Sequence, residues 1–317
     1  MLSFTIAITF LILLATRFDV NWNETFNTLK NCNIYLYFTG FASYYYGFYL
    51  RGIRWKIMLA NAKVDEGSEK GLPTSLSCGR YVFIGWFANA ITWFRLGDAY
   101  RAYSFTEDYK YSFSRAMGTV LAERILDITT VFIMILLASL TLYSGTNRDM
   151  LGIFIIIAFM LVSLATLGFI AMKHFGIRIA SLLPSRIESS YIRFHHGTMD
   201  SLNKMSALLT ISFFCWLTEI GRLFFIINAL DITGIIFSLI VFVTLANAIL
   251  TTVPLTPGGI GIVEPGIIGL LALSVPTTDA VSIALLDRSI SYMSIVILGG
   301  FLFIYQNLSK SKWKYST

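Results

Sequence analysis

The stretch Asn247-Ala-Ile-Leu-Thr-Thr-Val-Pro254-Leu-Thr-Pro257-Gly258-Gly259-Ile-Gly261-Ile-Val-Glu264 decides the fold. Two prolines, three glycines and a carboxylate interrupt an otherwise apolar run over residues 235–273. Proline removes a backbone donor and glycine weakens a helix, so a continuous span is disfavoured here. Within hydrocarbon, a broken backbone is tolerated only where protein buries it or where it lines a wet cavity. The break beside Glu264 therefore points to a polar site inside a membrane protein. A tight turn outside the membrane is the plainer reading, and it leaves Glu264 without a role.

The rest of the chain agrees with a bilayer setting. Its 317 residues are 56% hydrophobic and 13% charged, whereas soluble domains carry about 25% charged residues. Repeated apolar spans of about 20 residues consume most of this length and leave no room for a large soluble domain. The net charge of +6 sits in short loops beside apolar runs, where it sets topology and meets anionic headgroups rather than nucleic acid. Cys32, Cys78 and Cys215 are isolated, and His174, His195 and His196 lack ligand spacing, so neither a metal site nor a disulfide framework is expected. His195 and His196 read as solvated surface.

Residues 1–16 read as a short first helix that is retained, since they lack the basic start and cleavage site of a signal peptide. Residues 34–50 form a second span running into Arg51-Gly-Ile-Arg54-Trp55-Lys56, a basic-aromatic edge suited to the membrane interface. Residues 81–94 are too short to cross comfortably and have basic flanks, so a re-entrant segment is expected. Further spans are expected at 117–143, 151–172, 207–230 and 280–305, with 173–204 as one long polar cytoplasmic stretch. The architecture expected is all-α and polytopic: about six full spans plus two inverted, broken or re-entrant hairpins, alternatively eight spans. Basic loops and Lys310, Lys312 and Lys314 put both termini in the cytoplasm, with the whole chain in the plasma membrane.

Ala88-Asn89-Ala90-Ile91 recurs as Ala246-Asn247-Ala248-Ile249. Gly97-Asp98 and then Glu123-Arg124 follow the first copy; Gly258-Gly259, Glu264 and then Asp287-Arg288 follow the second. Within a single membrane domain, residues 1–317, the pseudo-repeat halves are about 78–143 and 236–306. Inverted repeats with interrupted helices meeting near the midplane are a device of alternating-access carriers.

Charged side chains at mid-span cost roughly 2.5–3.5 kcal/mol each on insertion scales and persist when paired or when facing a wet interior. Arg124 and Asp127, three apart, share a helix face, as do Glu219 and Arg222 and the four-apart Arg288 and Tyr292. Glu123 and Asp127, four apart, repel unless a cation stands between them. Interhelical ion pairs that only fix packing are one explanation. Arginines in excess of such needs, with forks suited to phosphate oxygens, are another. On that reading Arg95, Arg101, Arg124, Arg222 and Arg288 hold a phosphate beside Gly258 and Gly259. Glu123, Glu219, Glu264 and Asp287 orient them or recognise a cationic or hydroxylated headgroup. No nucleophile stands beside a histidine, and Gly258-Gly259-Ile-Gly261 lacks the Lys-Ser/Thr of a phosphate-binding loop. Neither an enzyme nor a cofactor is therefore expected.

The blocks Arg51-Gly-Ile-Arg54-Trp55, Arg95-Leu-Gly-Asp98-Ala-Tyr-Arg101, Glu123-Arg124-Ile-Leu-Asp127, Pro254 through Glu264, and Asp287-Arg288-Ser-Ile-Ser-Tyr292 resemble the signature of the lysylphosphatidylglycerol synthase transmembrane, flippase-like family. In larger relatives this part translocates an aminoacylated phospholipid, and a soluble domain attaches the amino acid. Because the sequence stops at Thr317, the resemblance implies a stand-alone lipid translocase. Its substrate would be a phosphate-bearing lipid, a polyprenyl-phosphate-linked sugar or an (aminoacyl) phosphatidylglycerol. Asp98 and Asp287 depart from the family, where Glu is common. The rival readings are a membrane scaffold for glycosylation or cell-envelope enzymes and a polyprenyl-phosphate transferase using Glu107-Asp108.

Overall fold

Helix boundaries follow capping chemistry and the two breaks. In the computed structural model, residues 22–65, 71–142, 148–252 and 256–314 are described. The first long helix, α2 (Ile34–Asn61), follows a short α1 (Trp22–Lys30). Asn33 Oδ1 accepts from the backbone N–H of Tyr35 and Leu36, satisfying two of the donors that every helix start leaves open. The Asn33 N–H itself donates to Ala229 O at 2.7 Å, which ties the start of α2 to the end of α8 (Met205–Ala229). At the other end, Asn61 Nδ2 donates to the carbonyls of Ser201 and Asn203, just ahead of α8. The two helices are thus antiparallel over their whole length and form the central pair.

Around this pair stand two broken hairpins. In the first, α3 (Ser75–Ile91) stops where Thr92 turns extended, and α4 (Leu96–Tyr109) folds back along it. Phe94 and Arg95 both take positive φ, 56° and 54°. Left-handed geometry costs an L-residue roughly 1–2 kcal/mol, so the surroundings must hold this bend. Asn89 Oδ1 accepts the Gly97 N–H at 2.8 Å, capping α4 from the end of α3. The hairpin closes tightly because Gly97 lies on the Gly85 carbonyl: a Cβ on Gly97 would stand 2.1 Å from that oxygen. Helix α5 (Phe113–Leu142) follows.

In the second hairpin, α9 (Phe237–Thr252) ends at the break, Pro257–Gly259 makes one 3₁₀ turn, and α10 (Val263–Leu271) resumes. Here the bend uses glycine, with φ of 59° at Gly258 and 70° at Gly259. A short loop leads to α11 (Thr277–Arg288), which passes through a π turn at Ser289–Met293 into α12 (Ser294–Lys314). Helices α9 and α5 pack together, so the second hairpin leans on the helix that follows the first.

Three stretches, Gly152–Ala180, Met205–Ala229 and Thr277–Gln306, are long and apolar enough to cross a bilayer. The first lies in α6 (Arg148–Ala180), where Ile153, Ile156, Phe159, Met160, Leu164 and Leu167 are exposed. An apolar surface this continuous suits hydrocarbon and not water. Helices α2 and α5, of 28 and 30 residues, have the length to cross but carry buried ions.

Three expectations change. Arg51, Arg54 and Trp55 are not an interfacial edge: α2 runs unbroken through them, and all three are buried. Residues 173–204 are mostly helical. Helix α6 extends to Ala180, Leu183-Pro184 breaks it, and α7 (Ser185–Ser201) packs on α5. His195 is accordingly buried on α7, with Nε2 3.1 Å from Met172 O, while His196 is half-buried. The helix expected at residues 1–16 lies outside the described residues.

Candidate functional site

The helix spacings noted in the sequence bring two ion clusters together at the breaks. In the first, Arg54 of α2 stands between Glu123 and Asp127 of α5: Nη2 donates to Glu123 Oε1 at 3.0 Å and Nη1 to Asp127 Oδ1 at 2.6 Å. It is the cation that these two carboxylates require. Arg101 of α4 donates to the other Glu123 oxygen at 2.8 Å. Arg124 faces the other side of α5, with Nε 3.2 Å from Asp98 Oδ2 and Nη1 3.6 Å from Asp127 Oδ2. Arg95 Nε lies 3.5 Å from the same Asp98 oxygen, and Asn89 Nδ2 donates to Oδ1.

In the second cluster, Glu219 of α8 takes Arg51 Nη2 on one oxygen and Arg222 Nη1 on the other, each at 2.9 Å. Arg222 Nε donates to Asp287 Oδ1 at 2.9 Å, and Ser291 donates to Oδ2. Arg288 pairs with Glu264 at 2.8 Å, and the second Glu264 oxygen accepts the Gly261 N–H at 2.7 Å. The halves thus share a pairing rule. The acid in the first turn after each break, Asp98 or Glu264, meets the arginine of the acid-Arg dipeptide in a following helix. The neighbouring acid, Glu123 or Asp287, meets an arginine of the central pair, Arg54 or Arg222.

Aromatic rings cover the guanidinium groups. Arg101 lies 4.8 Å from the centre of the Trp55 ring, Arg51 4.8 Å from Trp86, Arg222 4.8 Å from Tyr44 and Arg288 5.0 Å from Tyr292. Cation–π contacts gain strength where water is excluded.

The two breaks touch. Arg95 Nη1 donates to Thr251 O at 2.9 Å and Tyr292 Oη to Ala90 O at 3.4 Å, while Arg288 Nη2 holds Gly258 O of its own half at 3.0 Å. Between them is a cavity of about 140 Å³ whose lining includes Trp86, Arg95, Trp216, Glu219, Arg222, Asn247, Thr256, Gly258, Gly259 and Arg288. A second chamber of about 70 Å³ shares Trp86, Arg95, Trp216, Ala248 and Thr251 with it and adds Arg124 and Asp127. Trp86 Nε1, Trp216 Nε1, Asn247 Oδ1 and Thr256 Oγ1 are buried without a hydrogen-bond partner among the described residues. Buried polar atoms are seldom left unmade, because each costs about 1–3 kcal/mol.

Of the residues singled out by sequence, Arg95, Glu219, Arg222, Gly258, Gly259 and Arg288 line the cavity between the breaks and Arg124 lines the second chamber. Arg101, Glu123, Glu264 and Asp287 line neither: Glu264 and Asp287 hold the lining Arg288 and Arg222, while Arg101 and Glu123 pair with each other behind the wall. Sequence reasoning missed Arg51 and Arg54 as members of the site. The signal for them was the Glu123–Asp127 repulsion, which called for a buried cation. Among the described residues, no group of three or more His, Cys, Asp or Glu is placed to hold a metal ion.

The second break is sterically exacting. A Cβ on Gly258 would stand 2.6 Å from the Tyr292 ring and 3.4 Å from the Ala90 Cα, at a φ that favours glycine. Gly258→Ala is expected to lower stability by about 1–3 kcal/mol and to separate the breaks. A thermal melt of the detergent-purified protein within 1 °C of the unsubstituted chain, on the order of the measurement error, would count against this packing.

The chain matches the family described as the lysylphosphatidylglycerol synthase TM region over residues 1–299. It is 31% identical over 230 residues to a UPF0104 membrane protein of Methanocaldococcus jannaschii, covering 68% of this chain and 93% of that one. A UPF0104 membrane protein of Pyrococcus horikoshii is 28% identical over 278 residues, 79% of this chain and 81% of the relative. A third, from Methanothermobacter thermautotrophicus, is 28% identical over 276 residues, with 78% of each chain covered. No solved structure matches the chain. With apolar helices of spanning length and a buried ion network between two helix breaks, the chain belongs to the lysylphosphatidylglycerol synthase TM-region family and is an all-α, multi-pass membrane protein of the cell membrane.

Proposed function

We propose that the protein translocates a phosphate-bearing lipid by passing its headgroup through the cavity between the breaks. One observation carries this reading. Among the described residues the network holds seven arginines, Arg51, Arg54, Arg95, Arg101, Arg124, Arg222 and Arg288, against six carboxylates, Asp98, Glu123, Asp127, Glu219, Glu264 and Asp287. The second cluster balances, so the surplus cation belongs to the first. Arg95 is where it meets the cavity: it shares Asp98 with Arg124, and its other partner is the neutral Thr251 carbonyl. A half-buried cation that shares its one counterion with a second arginine is incompletely neutralised. A single anion entering beside Arg95, with the Trp86 and Trp216 indole N–H groups as further donors, supplies what is missing.

The contacts between the breaks give the transport step its physical form. Two hydrogen bonds, from Arg95 to the Thr251 carbonyl and from Tyr292 to the Ala90 carbonyl, hold one half to the other. A headgroup phosphate that takes a donor from Arg95 competes with the Thr251 carbonyl it now holds, which loosens the closure between the halves. Alternating exposure of a site between inverted repeats works in this way. The pseudo-repeat and its inversion are part of this proposal, as is the absence of a chemical step.

The test is reconstitution in vesicles carrying fluorescent phosphatidylglycerol or, in parallel, fluorescent phosphatidylcholine. Transbilayer movement of the first, read by external quenching, well above the second supports translocation of an anionic headgroup. Appearance of a modified lipid would instead support a transferase, and protein-independent rates for both lipids would leave a scaffold.

A further inference from the structure

We infer that the cavity selects a phosphate lipid whose headgroup carries neutral hydroxyl groups and rejects one that carries an ammonium. The inference rests on the translocation reading and asks which headgroup class the same site takes.

It begins with the acids. Both oxygens of each of the six carboxylates already have a partner. Those of Glu123, Asp127 and Glu219 face arginines, those of Asp98 face Arg95, Arg124 and Asn89, and those of Glu264 and Asp287 each combine an arginine with a neutral donor. Every carboxylate oxygen is thus already partnered, and the network is already cationic by one. A headgroup amine would therefore add positive charge next to positive charge in a site poorly screened by water.

Neutral acceptors, in contrast, are free, and the pseudo-repeat shows that this is particular to one half. Asn89, at the end of α3, is fully used: its oxygen takes the Gly97 N–H and its amide nitrogen donates to Asp98. Asn247 occupies the matching position of the repeated Ala-Asn-Ala-Ile. There the corresponding jobs go elsewhere, since Glu264 takes the Gly261 N–H itself and Arg288 takes Glu264. Asn247 and Thr256 both line the cavity, and Asn247 Oδ1 and Thr256 Oγ1 are buried without a partner among the described residues. An amide oxygen and a hydroxyl without partners, beside Arg95 and two unpaired indole N–H groups, match a phosphodiester followed by hydroxyl groups. A glycerol or a sugar headgroup offers this chemistry alike.

The test uses the purified full chain in detergent and lipid retention measured by native mass spectrometry. The probes are phosphatidylglycerol, phosphatidylmethanol (the same single negative charge without hydroxyls), lysyl-phosphatidylglycerol and phosphatidylcholine. Phosphatidylglycerol is expected to be retained about tenfold over phosphatidylmethanol and over lysyl-phosphatidylglycerol, the ratio that 1.4 kcal/mol gives. Asn247→Leu should bring phosphatidylglycerol down to the phosphatidylmethanol level without changing the latter. Asn247→Asp should raise lysyl-phosphatidylglycerol relative to phosphatidylglycerol by supplying the missing carboxylate. Equal retention of phosphatidylglycerol and phosphatidylmethanol, or retention of the lysyl lipid at or above phosphatidylglycerol, by the unsubstituted chain overturns the inference while leaving the anionic-lipid reading in place. Retention of no anionic lipid above phosphatidylcholine overturns both. The unsubstituted chain decides these outcomes even if one variant fails to fold. A glycosylated polyprenyl phosphate retained above phosphatidylglycerol would assign the hydroxyls to a sugar rather than to glycerol.

Discussion

Arg54→Met leaves little folded protein. Arg54 is 0% exposed and bridges two carboxylates on α5, with Ser212 of α8 as a third partner at 2.8 Å. Methionine fills a similar volume, so the loss is electrostatic and not a cavity. Removing one member of a buried pair costs about 3–5 kcal/mol because the other charge stays behind, and here two charges stay behind. Glu123 keeps Arg101, and Asp127 keeps only the longer contact of 3.6 Å to Arg124. Against a total stability of about 5–15 kcal/mol this is a large fraction. Arg54→Lys should not rescue it, since one ammonium lacks the planar fork that reaches both acids at once. The triple variant Arg54→Met, Glu123→Gln, Asp127→Asn removes cation and anions together and should recover part of the loss. Size-exclusion profiles and melting temperatures in detergent check this: a monodisperse Arg54→Met protein melting with the unsubstituted chain would show that the bridge carries no stability.

The reasons some of this was legible in the sequence, and some not, lie in the kind of force involved. The break at Pro257–Gly261 could be read directly because its backbone needs residues that tolerate positive φ, and Gly258, Gly259 and Gly261 all adopt it. The first break was placed correctly but for the wrong residue. Its positive-φ positions are Phe94 and Arg95, while Gly97 marks the close approach of α4 to Gly85. Local pairs three apart, such as Glu219–Arg222, followed from helix geometry. Pairs between helices did not. The repulsion of Glu123 and Asp127 demanded a cation, but only the packing of α2 against α5 and α8 identifies it as Arg54. Charges in Arg51-Gly-Ile-Arg54 lowered local hydropathy, and this was read as an approach to water when it was burial against acids on other helices. Polarity misled again over residues 173–204, where α7 buries His195, Thr198 and Ser201 on one face. The repeated Ala-Asn-Ala-Ile was visible, whereas the different employment of Asn89 and Asn247 depends on tertiary partners that no spacing encodes.

Arg95→Gln should separate function from folding in the opposite sense to Arg54. Removing Arg95 leaves the first cluster with Arg54, Arg101 and Arg124 against Asp98, Glu123 and Asp127, so the cluster's charge balances. Asp98 retains Arg124 at 3.2 Å and Asn89 at 3.3 Å, and the Thr251 carbonyl loses one donor. Stability is therefore expected to change by no more than about 1 kcal/mol, the net value of one ordinary hydrogen bond. Transport should respond far more. Arg95 lines both chambers and brings the surplus positive charge to the cavity wall. A hydrogen bond to a charged group contributes about 1.5–3 kcal/mol, so translocation of phosphatidylglycerol in vesicles should fall by roughly ten- to a hundredfold at one tenfold step per 1.4 kcal/mol. Arg95→Lys keeps the charge without the fork and should fall between the two, because a point charge still attracts a phosphate but cannot hold two of its oxygens while bonding Thr251. An Arg95→Gln protein that folds, melts normally and still moves phosphatidylglycerol at the full rate would mean that the surplus charge is not what draws the headgroup into the cavity.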